Sequence, residues 1–234
     1  MPSIKFNDLG LMDYQQAWDL QESLFSALME SKVKAETDQK EPPAGTLLFV
    51  EHPHVFTLGK SGAPENLLVN EAFLQSKGAA LYKINRGGDI TYHGPGQIVG
   101  YPILNLDAFK IGVREYIFRM ETAVIQTLKS FDVDAGRLDG ATGVWLDADI
   151  PGKSRKICAI GVRASRGVTM HGFAFNVNTD LSFYNLINPC GFTDKGVTSL
   201  EKELGHKTEF QDVKNILLAA FLKEFEADIV TIEP

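Results

Sequence analysis

The sequence predicts an α/β fold, more narrowly α+β, in which a mixed, largely antiparallel sheet is flanked by helices. Three strand-like runs follow one another between residues 143 and 177, whereas the long helical patterns lie elsewhere in the chain. Strands therefore do not alternate strictly with helices, as they would in a doubly wound parallel sheet. The length of 234 residues suits one large domain better than two, so we assign 1-234 to a single domain.

The elements before residue 105 follow from local patterns. Apolar side chains recur every three or four positions over residues 14–28, which predicts a helix that Asp13 caps. Residues 31–45 are charged and end in Pro-Pro, so we expect the tail of this helix and then a mobile surface loop. A short helix is expected over residues 70–77, with Asn70 as its cap. Strands are predicted at Ser3–Phe6, Thr46–Glu51, Ala80–Ile84 and Ile98–Leu104.

The second half of the chain begins with the clearest amphipathic pattern, which predicts a helix over residues 113–131. Three strands follow, and the last two are expected to form a hairpin through residues 164–167. Two capping boxes predict the C-terminal helices. The strands are Gly143–Leu146, Lys156–Val162, Val168–Val177 and a final one at Asp228–Ile232. The first capping box is Thr198 with Glu201, before a helix that ends at Gly205. The second is Thr208 with Gln211, before a helix that ends near Phe225.

Composition and charge exclude several functional classes. Acidic residues outnumber basic ones by 30 to 23, which gives a net charge of -7, whereas a protein that coats a nucleic acid duplex is usually basic. Two cysteines are too few for a disulfide framework at this length. No apolar run approaches the roughly 18 residues of a membrane span, and the N-terminus lacks a secretory signal. We therefore expect a cytoplasmic protein with no nucleic acid and no membrane as partner.

Residues 86–97, Arg-Gly-Gly-Asp-Ile-Thr-Tyr-His-Gly-Pro-Gly-Gln, are the most informative stretch of the chain. Four glycines and a proline are typical of an irregular turn region, and they also suit a backbone that must approach a ligand closely. The glycines do not have the spacing of a dinucleotide-binding motif, and no Gly-Lys-Ser/Thr follows them. A redox dinucleotide site or a nucleoside triphosphate site is therefore not expected here.

Residues 152–177 contain five basic residues and no acidic one, which reverses the charge of the rest of the chain. This segment is either the solvated face of the predicted hairpin or a surface that receives an acidic partner. The sequence alone leaves both interpretations open.

The two thiols stand in different settings. Cys158 lies in an apolar strand-like run, as buried structural cysteines do. Cys190 lies in a Pro-Cys-Gly turn, which makes it the better candidate for a nucleophile. A nearby lysine would increase its thiolate fraction, and Lys156 could do so if folding brings the two together. The His52-Pro53-His54 segment lacks an obvious third ligand, so we favour the interpretation without a metal.

Four stretches of the chain, in this order, resemble the lipoyl(octanoyl) transferases, the octanoyl-[acyl-carrier-protein]:protein transferases of lipoate synthesis. The resemblance spans about residues 46 to 200. The occurrence of all four stretches in this order is specific to the family, whereas no single stretch is. The stretches are His-Pro-His-Val-Phe-Thr-Leu-Gly at 52–59, the segment 86–97, Lys-Ile-Cys-Ala-Ile-Gly-Val-Arg at 156–163, and His-Gly-Phe-Ala-Phe-Asn-Val at 171–177 with Pro-Cys-Gly at 189–191.

This resemblance implies a single acyltransferase catalytic domain with the fold of the biotin and lipoate protein ligases, and it implies no cofactor and no metal. Cys190 matches the nucleophile that accepts the acyl group, and Lys156 matches the lysine that lowers the pKa of this thiol. The positions that match the family's substrate-binding residues are Arg86, Gly87, Gly88, Asp89, Ile90, Thr91, Tyr92, His93, Ala159, Ile160, Gly161, Gly172, Phe173 and Ala174.

The implied reaction is an acyl transfer in two steps, the first reaction of endogenous lipoate synthesis. Octanoyl-acyl carrier protein donates its acyl group to Cys190, and a lysine of a lipoyl domain then takes it without ATP. The acceptors would be lipoyl-domain proteins such as 2-oxoacid dehydrogenase E2 subunits and the glycine cleavage H protein. Backbone N–H groups of residues 86–97 would approach the tetrahedral oxyanion, and residues 152–177 would meet the acidic carrier protein.

Two other functions fit the sequence less well. An ATP-dependent lipoate- or biotin-protein ligase would share the fold but activate a free acid and need no cysteine. A non-catalytic acyl- or cofactor-binding module would need neither Lys156 nor Cys190.

Overall fold

The computed structural model describes residues 1–188 and 195–230, which form five α-helices and two β-sheets. The helices are α1 (Tyr14–Asp38), α2 (Glu71–Ser76), α3 (Val113–Lys129), α4 (Leu200–Leu204) and α5 (Phe210–Phe225). The strands are β1 (Ser3–Leu11), β2 (Gly45–Glu51), β3 (Val55–Leu58), β4 (Ala80–Lys83), β5 (Ile90–His93), β6 (Gln97–Leu104), β7 (Gly136–Leu138), β8 (Ala141–Leu146), β9 (Arg155–Ser165), β10 (Val168–Asn176), β11 (Gly196–Val197) and β12 (Asp228–Val230).

The larger sheet has the strand order β12-β1-β2-β6-β10-β9-β8-β7, and β11 pairs with β9 beside the end of β10. Its centre, from β2 to β7, is antiparallel throughout, whereas β12, β1 and β2 run parallel to one another. The smaller sheet has the order β4-β3-β5. The predicted fold class, with a mixed and largely antiparallel sheet flanked by helices, is therefore confirmed.

Alternate side chains of the central strands bury into two separate apolar layers. On β2, Leu47 and Phe49 pack with α3 and α5, whereas Leu48 and Val50 pack with α1 on the opposite face. This is the period of two that a strand imposes when both of its faces are covered. Helix α1 therefore lies on one side of the larger sheet, and α3 and α5 lie on the other. No helix among the described residues is long and apolar enough to cross a membrane.

Most predicted elements are confirmed; β1, β8 and β9 are longer than predicted, whereas α2, α3 and β4 are shorter. Asp13 caps α1 through its side chain, and Asn70 caps α2 in the same way. Helix α1 continues to Asp38, so most of residues 31–45 belongs to the helix rather than to a loop. The predicted hairpin of β9 and β10 is confirmed, with Ser165 paired to Val168. The predicted last strand is described only as far as Val230.

Both predicted capping boxes are wrong. Ser199 rather than Thr198 caps α4, because the Thr198 hydroxyl bonds to the Glu203 side chain instead. Helix α5 has Glu209 at its cap position without a side-chain hydrogen bond. The Thr208 hydroxyl instead lies beside Asn178, which a local motif cannot anticipate.

Four short strands were not predicted. Strands β3 and β5 pair with each other, and β5 lies inside the glycine-rich segment. Strand β11 pairs with the start of β9. Strand β7 pairs with β8 at the sheet edge. Runs of two to four residues carry too little periodicity to be recognised, and their pairing partners alone define them.

A β-bulge interrupts the pairing of β8 with β9. Val144 lies opposite Cys158, and the next residue of β8, Trp145, lies opposite Lys156, so Ile157 is the additional residue of β9. Ile157 and Cys158 are both fully buried in the core beneath α3 and α5. In a regular strand Lys156 and Ala159, three positions apart, would face opposite sides. The bulge puts both side chains on the same side of the sheet, away from that core.

Gly143 is required at this bulge, and its replacement should destabilise the fold. Its φ is +121°, and a Cβ there would lie 2.5 Å from the Cys158 carbonyl oxygen. We expect Gly143→Ala to lower the free energy of unfolding by about 2–3 kcal/mol. Urea denaturation measures this change. Gly136→Ala, where a Cβ meets nothing within 4 Å, is the control and should differ from the wild type by about 0.5 kcal/mol or less. Equal destabilisation by both variants would contradict the prediction.

Candidate active site

A pocket lies between the larger and the smaller sheet, over the face of β9 and β10 that is turned away from α3 and α5. The space between its protein atoms is about 750 Å³, a value that includes open solvent. Lys156 lines it, together with twelve of the fourteen predicted substrate-binding residues: Arg86, Gly88, Asp89, Ile90, Thr91, His93, Ala159, Ile160, Gly161, Gly172, Phe173 and Ala174.

Gly87 and Tyr92 are the two predicted substrate-binding residues that do not line the pocket. The Gly87 N–H donates to the Val162 carbonyl at 3.0 Å, so it is not available to an oxyanion. Tyr92 is fully buried, its ring stacks on Phe183, and its hydroxyl bonds to His54 Nδ1 at 2.7 Å. Alternation along β5 turns Tyr92 into the core of the smaller sheet. The sequence motif could not show this alternation because β5 was not recognised as a strand.

The glycine-rich segment does approach a backbone closely, and that backbone is β9. A Cβ at Gly161 would lie 2.9 Å from the Gly87 carbonyl oxygen and 3.1 Å from Arg86 Cδ. The Arg86 guanidinium donates to the carbonyl and the hydroxyl oxygen of Thr57, at 2.7 and 3.0 Å. Arg86 therefore ties the segment to β3 of the smaller sheet, while the absence of a side chain at Gly161 admits the segment against the larger one.

Sequence reasoning missed seven residues of the pocket lining. His171 and Asn176 were part of the quoted family motif, but they were not assigned to the site. The other five residues lie on elements that are distant in the sequence. Their side chains are aromatic or aliphatic, which normally indicates a core position, so no local pattern could have identified them. The seven residues are Tyr14, Val99, Tyr101, His171, Asn176, Tyr184 and Val197.

Two buried histidines, His52 and His93, lie with Tyr14 and Tyr101 at the α1 end of the pocket. His52 Nδ1 lies 2.8 Å from the Met12 carbonyl oxygen, which can only accept, so Nδ1 carries the proton. His52 Nε2 therefore accepts from the Tyr101 hydroxyl at 2.8 Å. Burial lowers the pKa of His52 to about 4 and that of His93 to about 3, and the positive charge of Arg86 also disfavours a charged His93. Both rings are neutral at physiological pH.

His171 forms part of the wall on β10 and holds an unusual backbone conformation. Its φ is +58°, a left-handed value inside a strand, and such strain often marks a functional site. Its Nε2 lies 2.7 Å from the Asn85 side-chain oxygen, whereas its buried Nδ1 has no hydrogen-bond partner among the described residues. Burial, with the charges of Arg86 and Arg163, lowers the pKa of His171 to about 3.

These three neutral histidines make the fold sensitive to acid. The unfolded chain takes up their protons near pH 6.5 and the folded chain does so only near pH 3–4, so the unfolded state binds more protons in between. The free energy of unfolding should therefore fall as the pH drops from 7 to 5, by about 1–2 kcal/mol per histidine. Urea denaturation at several pH values measures this decline.

Two histidine variants separate this effect from general acid denaturation. His52→Gln should reduce the steepness of the decline, because one depressed pKa is removed. His206→Gln, at an exposed position, should leave it unchanged. The same steepness in the wild type and in His52→Gln would show that His52 does not contribute.

Lys156 lies in the pocket between two strands of the larger sheet. Its Nζ is 4.6 Å from the ring centroid of Trp145 on β8, and its carbonyl oxygen accepts from the Thr198 N–H at 2.9 Å beside β11. Cys190 lies outside the described residues. Gly196, six residues after it in the sequence, lies on β11 and pairs with Arg155.

The other thiol is not a nucleophile. Cys158 is fully buried in the core beneath α3 and α5, and this burial raises the pKa of its thiol far above the ordinary value. Its prediction as a structural cysteine is confirmed.

The segment 152–177 has no acidic residue in sequence, but acidic residues from elsewhere lie against it in space. Arg155 forms ion pairs with Glu203, at 2.6 Å, and with Asp147, and Arg163 lies 3.2 Å from Glu22. Two of the five positive charges are therefore compensated within the protein. The segment is neither a fully solvated face nor a continuous basic surface for an acidic partner.

No cluster of three or more His, Cys, Asp or Glu in residues 1–188 and 195–230 could hold a metal ion. His52 and His54 both bond to tyrosine hydroxyls instead.

The family of this chain follows from comparison with known proteins. The model of the lipoyl protein ligase A/B catalytic domain matches residues 13–222, so the chain belongs to that family. The octanoyltransferase of Cytophaga hutchinsonii is 54% identical over 97% of this chain and 94% of its own length. The octanoyltransferase of Flavobacterium johnsoniae is also 54% identical, over 97% of this chain and 98% of its own. The predicted resemblance is confirmed, and the protein is an acyltransferase of the octanoyltransferase kind.

A solved structure supports the fold independently. The bipartite lipoate protein ligase of Thermoplasma acidophilum superposes with a TM-score of 0.68 over 99% of this chain and 88% of that one, at 16% identity. The predicted similarity to the lipoate protein ligase fold is therefore confirmed.

Proposed function

We propose that this protein transfers an octanoyl group from acyl carrier protein to a lysine of a lipoyl domain, through a thioester on Cys190. One observation carries the proposal: Lys156 lines a pocket whose lining residues Tyr184 and Val197 lie on either side of Cys190 in the chain. A lysine beside a thiol increases its thiolate fraction. That the acyl group is octanoyl is inferred from the names of the relatives.

In the first step the Cys190 thiolate attacks the carbonyl carbon of the octanoyl thioester. The new carbon–sulfur bond to Cys190 forms, and the bond to the carrier sulfur breaks. The Lys156 ammonium gives its proton to the departing carrier thiolate and becomes a neutral amine. The product is octanoyl-Cys190 with a neutral base beside it.

In the second step the neutral ε-amine of the acceptor lysine attacks the same carbonyl carbon. The carbon–nitrogen bond of an amide forms, the bond to Cys190 breaks, and Lys156 takes the proton that the attacking nitrogen loses. The thiolate and the ammonium are then restored together. A thioester is converted to an amide, so the reaction needs no nucleotide.

The apolar wall of the pocket is evidence for an acyl chain as its ligand. Ala159, Ile160, Phe173 and Ala174 line its middle, on the strands that lead away from Lys156. Each CH₂ group that leaves water for such a surface contributes about 0.8 kcal/mol. We infer that the octanoyl chain lies along β9 and β10 and that the single domain of residues 1–234 provides the whole site.

The partners follow from the same proposal. The donor is octanoyl-acyl carrier protein, and the acceptors are lipoyl-domain proteins of the E2 and H protein type. The reducing conditions that a free thiol nucleophile requires favour the cytoplasm.

Removal of the nucleophile should abolish the acyl-enzyme. After incubation with octanoyl-acyl carrier protein, the intact mass of the wild type should increase by one octanoyl group, and that of Cys190→Ser should not. Cys158→Ala removes the buried thiol and should keep both the adduct and the turnover. An adduct that persists in Cys190→Ser and disappears in Cys158→Ala would overturn the assignment of the nucleophile.

Replacement of the base should slow turnover by about 10²–10⁴-fold, the usual contribution of general acid–base catalysis. We expect this in Lys156→Gln, with kcat reduced more than KM, because the amine acts on the bonds that change. Steady-state kinetics with a lipoyl domain as acceptor measures both constants. A kcat within about threefold of the wild type would exclude Lys156 from the proton transfers.

The dependence on nucleotide separates transfer from ligation. Octanoylation of a lipoyl domain from the carrier thioester should proceed at the same rate with and without ATP. Free octanoate should not be used under either condition. Modification that requires ATP and free octanoate would show instead a ligase of the same fold.

A further inference from the structure

Trp145 and Lys156 are opposite residues of the neighbouring strands β8 and β9, on the side of the sheet that faces the pocket. Lys156 Nζ lies 4.6 Å from the centroid of the Trp145 ring. A cation within about 6 Å of the face of an indole is attracted by the ring quadrupole, and tryptophan provides the strongest such interaction among the aromatic residues. This contact is not required by the family motif that identified Lys156.

The indole is held in place independently of the lysine. Trp145 is only 2% exposed, and its Nε1 donates to the Ala141 carbonyl oxygen at 2.9 Å. A lysine side chain, in contrast, has four rotatable bonds and about 2 kcal/mol of rotamer entropy. The rigid ring therefore restricts the flexible amine.

The bulge at Ile157 is what brings the two side chains together. In a regular strand of the same sequence, Lys156 would share the face of Cys158 and point into the core beneath α3 and α5, away from Trp145. Strand β11 pairs with Lys156 on the other edge of β9. The backbone of the lysine is thus fixed on both sides and its head group is fixed by the ring.

We propose that Trp145 is a positioning residue of the acyl transfer, which holds the Lys156 ammonium at the catalytic end of the pocket. This inference rests on the proposed role of Lys156. The ring attracts the charged ammonium and not the neutral amine. It therefore favours the ammonium beside the Cys190 thiolate before the first step, and it increases the proton affinity of the amine in the second.

The charged groups of the surrounding elements have partners of their own. Arg155 on β9 pairs with Asp147 after β8 and with Glu203 on α4. Glu121 on α3 accepts from Arg137 Nε at 2.8 Å and from the Gly143 N–H at 2.9 Å. The indole attracts the ammonium through the face of its ring and does not compete for its proton.

Fluorination of the indole tests the proposal, because each ring fluorine weakens the attraction for a cation and leaves the shape of the side chain nearly the same. Tryptophan analogues with one to four ring fluorines would be inserted at position 145 alone, so that Trp18 stays unchanged. The Cys158→Ala background leaves Cys190 as the single thiol. The rate of its alkylation by iodoacetamide, followed by intact mass from pH 5 to 10, reports the thiolate fraction.

We expect the midpoint of this pH profile to rise with each fluorine, by about one unit in total, which is a tenfold change in thiolate fraction at a given pH. Turnover should decrease in the same order, with KM for the carrier thioester unchanged. Identical midpoints in all analogues that melt at the wild-type temperature would overturn the proposal, since a merely structural indole would behave in this way.

Two further sets of variants complete the test. Trp145→Phe keeps a weaker aromatic face and should give a midpoint between the wild type and Trp145→Leu. In the Lys156→Gln background, which removes the cation, fluorination should no longer move the midpoint. A shift that persists there would assign the effect to something other than the ammonium.

The outcome is distinguishable from failure of the proposed function. Alkylation reads the Cys190 thiol directly and does not require octanoyl transfer. If the wild type forms no octanoyl adduct, the proposed function fails. If it forms the adduct and the fluorinated series shows no graded shift, the role of Trp145 fails and the transfer mechanism stands.

Discussion

The irregular pairing of β9 is the constraint on which the site depends. Its first residues pair with β8 on one edge and with β11 on the other, and one additional residue, Ile157, is accommodated against β8. That residue reverses the alternation, so that Cys158 faces the core and Lys156 faces the pocket. In a strand of ideal geometry residues 156 and 158, two positions apart, would face the same side of the sheet. The bulge therefore separates the two reactive side chains of β9 and turns only Lys156 toward the pocket.

The second constraint is the close contact of the two sheets around the pocket. The segment that precedes β5 can lie against β9 because Gly161 has no side chain. Arg86 then joins this segment to Thr57 on β3. The larger sheet contributes twelve of the twenty lining residues, and β5 with the segment before it contributes six. The pocket therefore exists only while the two sheets stay together. The glycine-rich motif thus has a structural reason in addition to any contact with a ligand, because it permits backbone to approach backbone.

The sequence was sufficient for the elements with long, regular patterns, and for the residues that the family motif marks. Helices α1 and α3 and strands β6 and β10 repeat their apolar positions over several turns or pleats, and Asp13, which caps α1, lies next to that helix. The sequence was not sufficient where a residue that is distant in the chain determines the orientation or the pairing of a side chain. Tyr92 appears in the motif beside His93, but pairing with β3 turns it into a core. Arg155 and Arg163 lie in an acid-free segment, yet their carboxylate partners are 48 and 141 residues away.

The titratable groups of the pocket differ in charge. Burial keeps His93 and His171 neutral, and it raises the pKa of Tyr184 to about 12, so its hydroxyl stays protonated. The other cation, Arg86, lies against Gly161, five residues along β9 from Lys156. Its charge acts on His93 and His171. The pocket thus has Lys156 on one side and the Arg86 guanidinium with two neutral histidines on the other, and apolar residues of β9 and β10 lie in its wall.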